Sequence, residues 1–291
     1  MAPAAPAGGP GQGFAAVRDA ARDGEPDRYA AALLAPDGVA ADLVTLAAFA
    51  AELGRIPQQV REPMMGEIRL QWWHDAITGA VHDAPTGHPV ADALCDLIRR
   101  RQFDLAPFVA MIEARHVDVS RDLFADEAVL IGHLDATEGR CFEVALRIAG
   151  VASEPGLAVA AGRAYGLARN LGRLPVLLRG GAFPIPMSLL AEHGQTAEAL
   201  TARPVTPALA TAIDACGDAL RRRGRVELSL AHAALSRLGP AAHVALLPLA
   251  MVEPYFLGQE RIRLQALERV ADVTPLGRMW RLWRAHRRQR V

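Results

Sequence analysis

Six pairs of aspartates stand four residues apart in this chain: Asp19/Asp23, Asp23/Asp27, Asp92/Asp96, Asp118/Asp122, Asp122/Asp126 and Asp214/Asp218. Carboxylates one helical turn apart can supply the oxygen ligands of a hard cation such as Mg²⁺. Such a cation can stabilise negative charge that develops on a reacting group. The same spacing also arises wherever a helix turns a polar face to water. Leu94, Leu97 and Ile98 point away from Asp92 and Asp96, which Arg99 and Arg100 flank. Asp214 and Asp218 stand likewise beside Arg221 and Arg222. All six pairs therefore read as solvated faces rather than as metal ligands.

Two His-Asp doublets, His74-Asp75 and His82-Asp83, are of a type that metal phosphohydrolases use. Eight residues set these histidines about 80° apart on a helix, and no third partner is identifiable. The adjacent Trp72 and Trp73 point about 100° apart. Two-sided core packing fits them, and so does one ring lining a prenyl or lipid cavity. The segment "RMWRLWRAHRRQRV" sets six arginines and two tryptophans in 14 residues. Read as a helix, it suits either an anionic membrane surface or a solvated end of the last helix.

The elements that must position these residues are helical nearly throughout. Alanine and leucine dominate, and they lose little side-chain entropy in a helix. Periodicity predicts helices at about 14–22, 27–35, 38–56, 64–81, 88–101, 105–117 and 124–149. Further ones are expected at about 155–179, 187–193, 206–237, 241–257 and 260–288, with proline and glycine between them. No strand alternation, repeat or dividing linker is evident. The expectation is one all-α domain over residues 14–291, behind a disordered Ala/Pro/Gly tail at 1–13. The helix at 38–56 carries one apolar stripe of Leu46, Phe49, Leu53 and Ile56. A second stripe of Ala40, Val44, Ala47, Ala51 and Gly54 lies nearly opposite. Such a helix belongs in the middle of a multi-helix bundle.

Formal net charge is zero, so no nucleic-acid partner is expected. Cys95, Cys141 and Cys216 are widely separated and match no zinc spacing, as for core thiols in a reducing compartment. The first residues lack the pattern of a signal peptide. The most apolar runs, 29–53 and 241–257, are interrupted by charges, so no membrane span is expected. The expected location is the cytoplasm or the inner face of a membrane, not the exterior.

"RYAAALLAPDGVAADLVTLAAFAAEL", followed by "EPMMGEIRLQWWHDAI", resembles the squalene/phytoene synthase family. The likeness continues through "EGRCFEVALRIAG" and "AYGLARNLGRLPVLLRGGAFPIPMSLL" and covers roughly residues 27 to 258. It implies the all-α isoprenoid synthase bundle and head-to-head joining of prenyl diphosphates. Magnesium would be held by two aspartate-rich motifs on facing helices. Matched on Ala48-Phe49 and Leu53, the first motif's aspartates fall on Gly54, Arg55 and Gln58. Counted back from Pro186, the second motif's asparagine falls on Arg169 and its acids on Arg173, Val176 and Leu177. Both motifs are thus expected to be lost, leaving no catalytic or metal-binding residue and no cofactor.

Within the family, the quoted stretches resemble a divergent branch that includes an assembly factor of respiratory complex I. That branch implies a non-catalytic helper whose partner is a respiratory-complex subunit. A bound lipid or prenyl diphosphate and a membrane-facing C-terminus are further expectations. The alternative is an active head-to-head prenyltransferase that takes its carboxylates from other positions and binds Mg²⁺. Arg55, Arg163, Arg169 and Arg173, with Trp72 and Trp73, are the candidates for holding an anionic ligand. Facing arginines must be balanced by internal acids, with Glu52, Glu62 and Glu67 available, or by a bound phosphate.

Overall fold

A computed structural model describes residues 10–60, 62–79, 85–152, 154–201 and 204–289, and among them every regular element is helical. The chain runs α1 (Pro10–Gly24), α2 (Pro26–Ala32), α3 (Asp37–Gln59), α4 (Pro63–Thr78), α5 (Pro89–Arg101), α6 (Ala106–Glu113) and α7 (His116–Ser120). Next come α8 (Glu127–Leu134), a π turn (Asp135–Gly139) and α9 (Arg140–Ile148). Then follow α10 (Pro155–Gly172), α11 (Leu174–Arg179), α12 (Met187–Glu192), α13 (Ala197–Thr201) and α14 (Pro207–Leu235). The last are α15 (Pro240–Leu246), α16 (Val252–Ile262) and α17 (Pro275–Arg288). Proline opens many of them, where its missing N–H is no loss. Side chains of Asp126, Thr206 and Thr274 cap free N–H groups at the starts of α8, α14 and α17.

The all-α expectation holds, with differences at boundaries. α1 opens at Pro10, inside the stretch expected to be a disordered tail, while residues 1–9 lie outside the described residues. The helix expected at 155–179 breaks at Arg173, because Pro175 cannot donate to the continuing ladder. The helix expected at 260–288 divides as well. Arg263 takes φ 29°, and Thr274-Pro275 starts α17 afresh. His82-Asp83 lies outside the described residues.

α3 and α10 form the centre. Leu46, Phe49, Leu53 and Ile56 on one side of α3, and Val44, Ala47 and Ala51 on the other, are all buried. Burying each large side chain contributes about 1.5–3 kcal/mol. α10 is buried through Ala161, Ala164, Tyr165, Ala168 and Leu171. Its glycines set how closely its neighbours approach. A Cβ at Gly162 would fall into the backbone of Gly139, and one at Gly166 would stand 2.6 Å from a methyl of Leu134. This contact presses the π turn onto α10 and delivers Glu138 to the bundle interior. Gly24 similarly lets the end of α1 lie against Ala51 of α3. The segment Pro240–Gln265 is long and apolar enough to cross a membrane, yet 56% of its most apolar window is buried. Its Leu246, Leu247, Met251, Val252 and Phe256 are core residues.

Candidate functional site

Between α1, α3 and α10 lies a cavity of about 180 Å³, lined by Arg55, Gln58, Arg115, Glu138, Arg169, Asn170 and Arg173 among others. A second chamber, of about 260 Å³, adjoins it across Asp23, Gly24, Arg169 and Arg173 and extends to Val176, Tyr255 and Arg278. A third, of about 70 Å³, shares Gly54, Gln58, Arg115, Asn170 and Leu177 and ends on Phe124, Phe183 and Pro184. All six acid positions counted from the two aspartate-rich motifs, and the asparagine position Arg169, line this system. Gly54, Arg55, Gln58, Arg173 and Leu177 line the first chamber, and Val176 the second.

Two buried acids organise the first chamber. Glu25, between α1 and α2, accepts from Arg28 at 2.8 Å and from Arg169 at 2.9 Å on the same oxygen. Glu138, on the π turn, accepts from Arg28 at 2.6 Å and stands 3.6 Å from the Arg169 guanidinium. Two guanidiniums thus alternate with two carboxylates. Charges taken from water this completely persist only when paired in this way. Burial pushes the Glu138 carboxyl up, but the guanidiniums of Arg28, Arg169 and Arg115 outweigh it and hold it at about 2. Arg28 also stacks 4.8 Å from the Tyr165 ring and 5.1 Å from Phe142, and Arg169 lies 5.3 Å from Tyr165.

A second buried knot adjoins it. Asp27 accepts from the hydroxyls of Tyr165 at 3.0 Å and Tyr255 at 2.8 Å, and from Arg278 at 2.5 Å. Arg278 reaches on to Asp272 at 3.0 Å. One carboxylate therefore ties α2, α10, α16 and α17 together. Burial drives the Tyr165 hydroxyl well above its ordinary pKa, keeping it a neutral donor.

The arginines singled out from sequence divide. Arg55, Arg169 and Arg173 meet in the first chamber. Arg55 pairs with Glu52 at 3.2 Å. Arg173 is half-buried, and its side chain makes no hydrogen bond or ion pair among the described residues. Arg163 is absent from that lining. It sits on another face of α10, held by both oxygens of Asp135 at 2.7 and 2.8 Å. Trp73 is a core residue against Phe49 and His88, while Trp72 is 40% exposed, and neither lines the three chambers. Of the acids expected to balance the arginines, only Glu52 does so. Glu62 is exposed and Glu67 pairs with His116.

The solvated-face reading of the aspartate pairs needs correction at three members. Asp27, Asp118 and Asp214 are turned inward onto arginines: Arg278, Arg115, and Arg221 with Arg263. Asp19, Asp122 and Asp126 are exposed as expected, while Asp92 and Asp96 are partly buried. Among the described residues, no three His, Cys, Asp or Glu side chains converge on a point where a metal ion would sit. Sequence reasoning missed Glu25, Arg28, Glu138 and Arg278. An "EPDR" turn ahead of an alanine-rich helix looks like surface, and the one signal was that Arg28 opens the stretch carrying the resemblance.

Comparisons with known proteins agree with this architecture. The family model described as squalene/phytoene synthase matches residues 21–272. A squalene synthase HpnC from Alicyclobacillus acidocaldarius has a similar structure, with a TM-score of 0.72 at 18% identity over 89% of this chain and 95% of that one. A dehydrosqualene synthase gives 0.75 at 14% identity, over 96% and 97%. In sequence, the chain is similar to NADH dehydrogenase (ubiquinone) complex I, assembly factor 6. The mouse protein is 24% identical over 174 residues, 59% of this chain and 52% of that protein. The human protein is 23% identical over 172 residues, with shares of 58% and 52%. The chain spans about half the length of the curated relatives it matches. Its fold and the matched residues place it in the squalene/phytoene synthase family.

Proposed function

We propose that this chain is a non-catalytic member of the family, acting as an assembly or scaffold factor for a respiratory membrane complex. The observation that carries this reading is the state of the acids in the first chamber. Glu25 and Glu138 are both engaged by Arg28 and Arg169, and Asp23 is held by Arg22 at 3.2 Å. Magnesium requires several free oxygen ligands around one point. This donor set does not suit it, and the Arg173 guanidinium, which has no ion partner among the described residues, would repel it. The likeness to complex I assembly factor 6 supports the choice of a respiratory complex.

The test has two arms. Purified protein with farnesyl or geranylgeranyl diphosphate, Mg²⁺ and NADPH is expected to yield no coupled hydrocarbon by mass spectrometry. Deleting the gene is expected to lower NADH:quinone oxidoreductase activity in membranes while leaving the isoprenoid profile unchanged. A magnesium-dependent coupled product would instead establish a prenyltransferase that draws its ligands from other positions. An unchanged respiratory activity after deletion would remove the assembly role.

A further inference from the structure

α17 is held from one side only. Its inner face carries Leu282 and Ala285, both buried, and Arg278, which anchors to Asp27 and Asp272. That face packs on α2 and on the turn Leu247–Met251. The outer face is different in kind. Leu276 is 84% exposed, Met279 38%, Trp280 52% and Trp283 48%. At spacings of three and four residues, these four form one continuous stripe. The Arg284 guanidinium lies 5.0 Å over the Trp280 ring, and that of Arg287 lies 5.4 Å over Trp283. From Val273 to the last residue there is no aspartate or glutamate, although the chain as a whole is neutral.

We propose that α17 binds the surface of an anionic lipid bilayer. The helix lies in the headgroup plane, with Leu276, Met279, Trp280 and Trp283 entering the acyl boundary. Arg284, Arg287 and Arg288 reach the phosphates. The pattern has the two parts such binding needs: amphipathic aromatic rings that prefer the interface, and cations drawn to anionic lipid. The flexible stems of arginine let the charge stay among headgroups while the neighbouring rings descend. A convex single-helix ridge offers no pocket for a protein side chain, whereas a bilayer demands no shape complementarity. Lipid is therefore the better-matched occupant. The inference needs lipid alone and is independent of the assembly role.

The test is cosedimentation of the full chain with vesicles of phosphatidylcholine, alone or mixed with phosphatidylglycerol, with tryptophan emission read in parallel. Binding to the anionic vesicles only, weakening with salt and accompanied by a blue shift, is expected. Arg284→Gln with Arg287→Gln should weaken it roughly 25-fold, about five-fold per arginine. Trp280→Ser with Trp283→Ser should abolish the shift and most of the binding. These four side chains are exposed, so melting by circular dichroism should stay unchanged. Leu276→Trp, at the most exposed position of the stripe, should tighten binding without touching the core. Equal affinity for neutral and anionic vesicles would overturn the proposal, as would indifference to all three variants. Absence of any vesicle binding would also overturn it and leave the stripe to an acidic protein surface.

Discussion

Replacing Glu138 by glutamine removes one negative charge from the four-charge knot and little else. The isosteric amide oxygen can still accept from Arg28, which now donates at 2.6 Å. Arg28 and Arg169 would then share Glu25 as their remaining acid in that knot. The magnitude can be reached in two ways. The Glu138 carboxyl lies at about 2 against an ordinary 4.5. At about 1.4 kcal/mol per unit, its charged form contributes on the order of 3 kcal/mol at neutral pH. Breaking a buried pair costs about 3–5 kcal/mol, less about 1 kcal/mol for the hydrogen bond the amide keeps. Both routes give roughly 3 kcal/mol. Urea unfolding followed by circular dichroism measures it, and the pH dependence identifies its origin. A depressed carboxylate stabilises the fold fully above its unfolded pKa, and the contribution is lost as pH falls through the folded value. The gap between parent and variant should therefore be constant above about pH 4.5 and close towards about pH 2. Equal stability at pH 7 would refute the balance described for the chamber. A gap that persists unchanged into acid would show that the loss is steric rather than electrostatic.

Gly162→Ala should destabilise by about 2 kcal/mol or more, because its methyl group meets the Gly139 backbone; a gain of about 1 kcal/mol, usual for Gly→Ala inside a helix, would deny the close contact. Asp27→Asn removes the carboxylate shared by Tyr165, Tyr255 and Arg278 and should cost about 3–5 kcal/mol. Limited proteolysis should then cut ahead of α17 sooner than in the parent. Arg173→Glu should leave stability within about 0.5 kcal/mol, since the side chain is half-buried and has no partner among the described residues. If the parent's melting temperature rises with pyrophosphate in the presence of EDTA, that rise should vanish in this variant; its survival would place the anion elsewhere.

Helix content was legible because alanine, leucine and proline act locally. The breaks were less so, since they depend on what the next element touches. The π turn at Asp135–Gly139 has no composition of its own and exists where Gly162 and Gly166 let α10 press against it. In the candidate site, Arg55 and Arg173 could be found by counting from matched positions. The acids that pair with Arg28, Arg169 and Arg278 could not. Arg28 meets Glu138 across 110 positions and Arg278 meets Asp27 across 251. No periodicity links residues so far apart, and Asp27 carried the same spacing as aspartates that face water. Arg163 shows the opposite failure. It shares a helix with Arg169, but six residues turn it about 240° away, onto Asp135.

On the proposed non-catalytic reading, the charge arrangement also accounts for a cavity with no acids at the positions matched to the aspartate-rich motifs. Facing carboxylates repel, and a cation relieves them. Facing arginines repel equally, and here the relief comes from the chain itself, through Glu25 between α1 and α2 and Glu138 on the π turn. Glu25 and Glu138 supply that counter-charge with no ligand bound. A ligand-dependent site would leave its charges unbalanced when empty. What remains open to a ligand is Arg173, between two chambers of about 180 and 260 Å³ and beside the Asn170 amide. One water occupies about 30 Å³ of liquid, so each chamber has room for a phosphate-sized group and its hydration. If the non-catalytic reading holds, the outer faces, α17 foremost, are where this bundle acts on other molecules, and the vesicle experiment tests that directly.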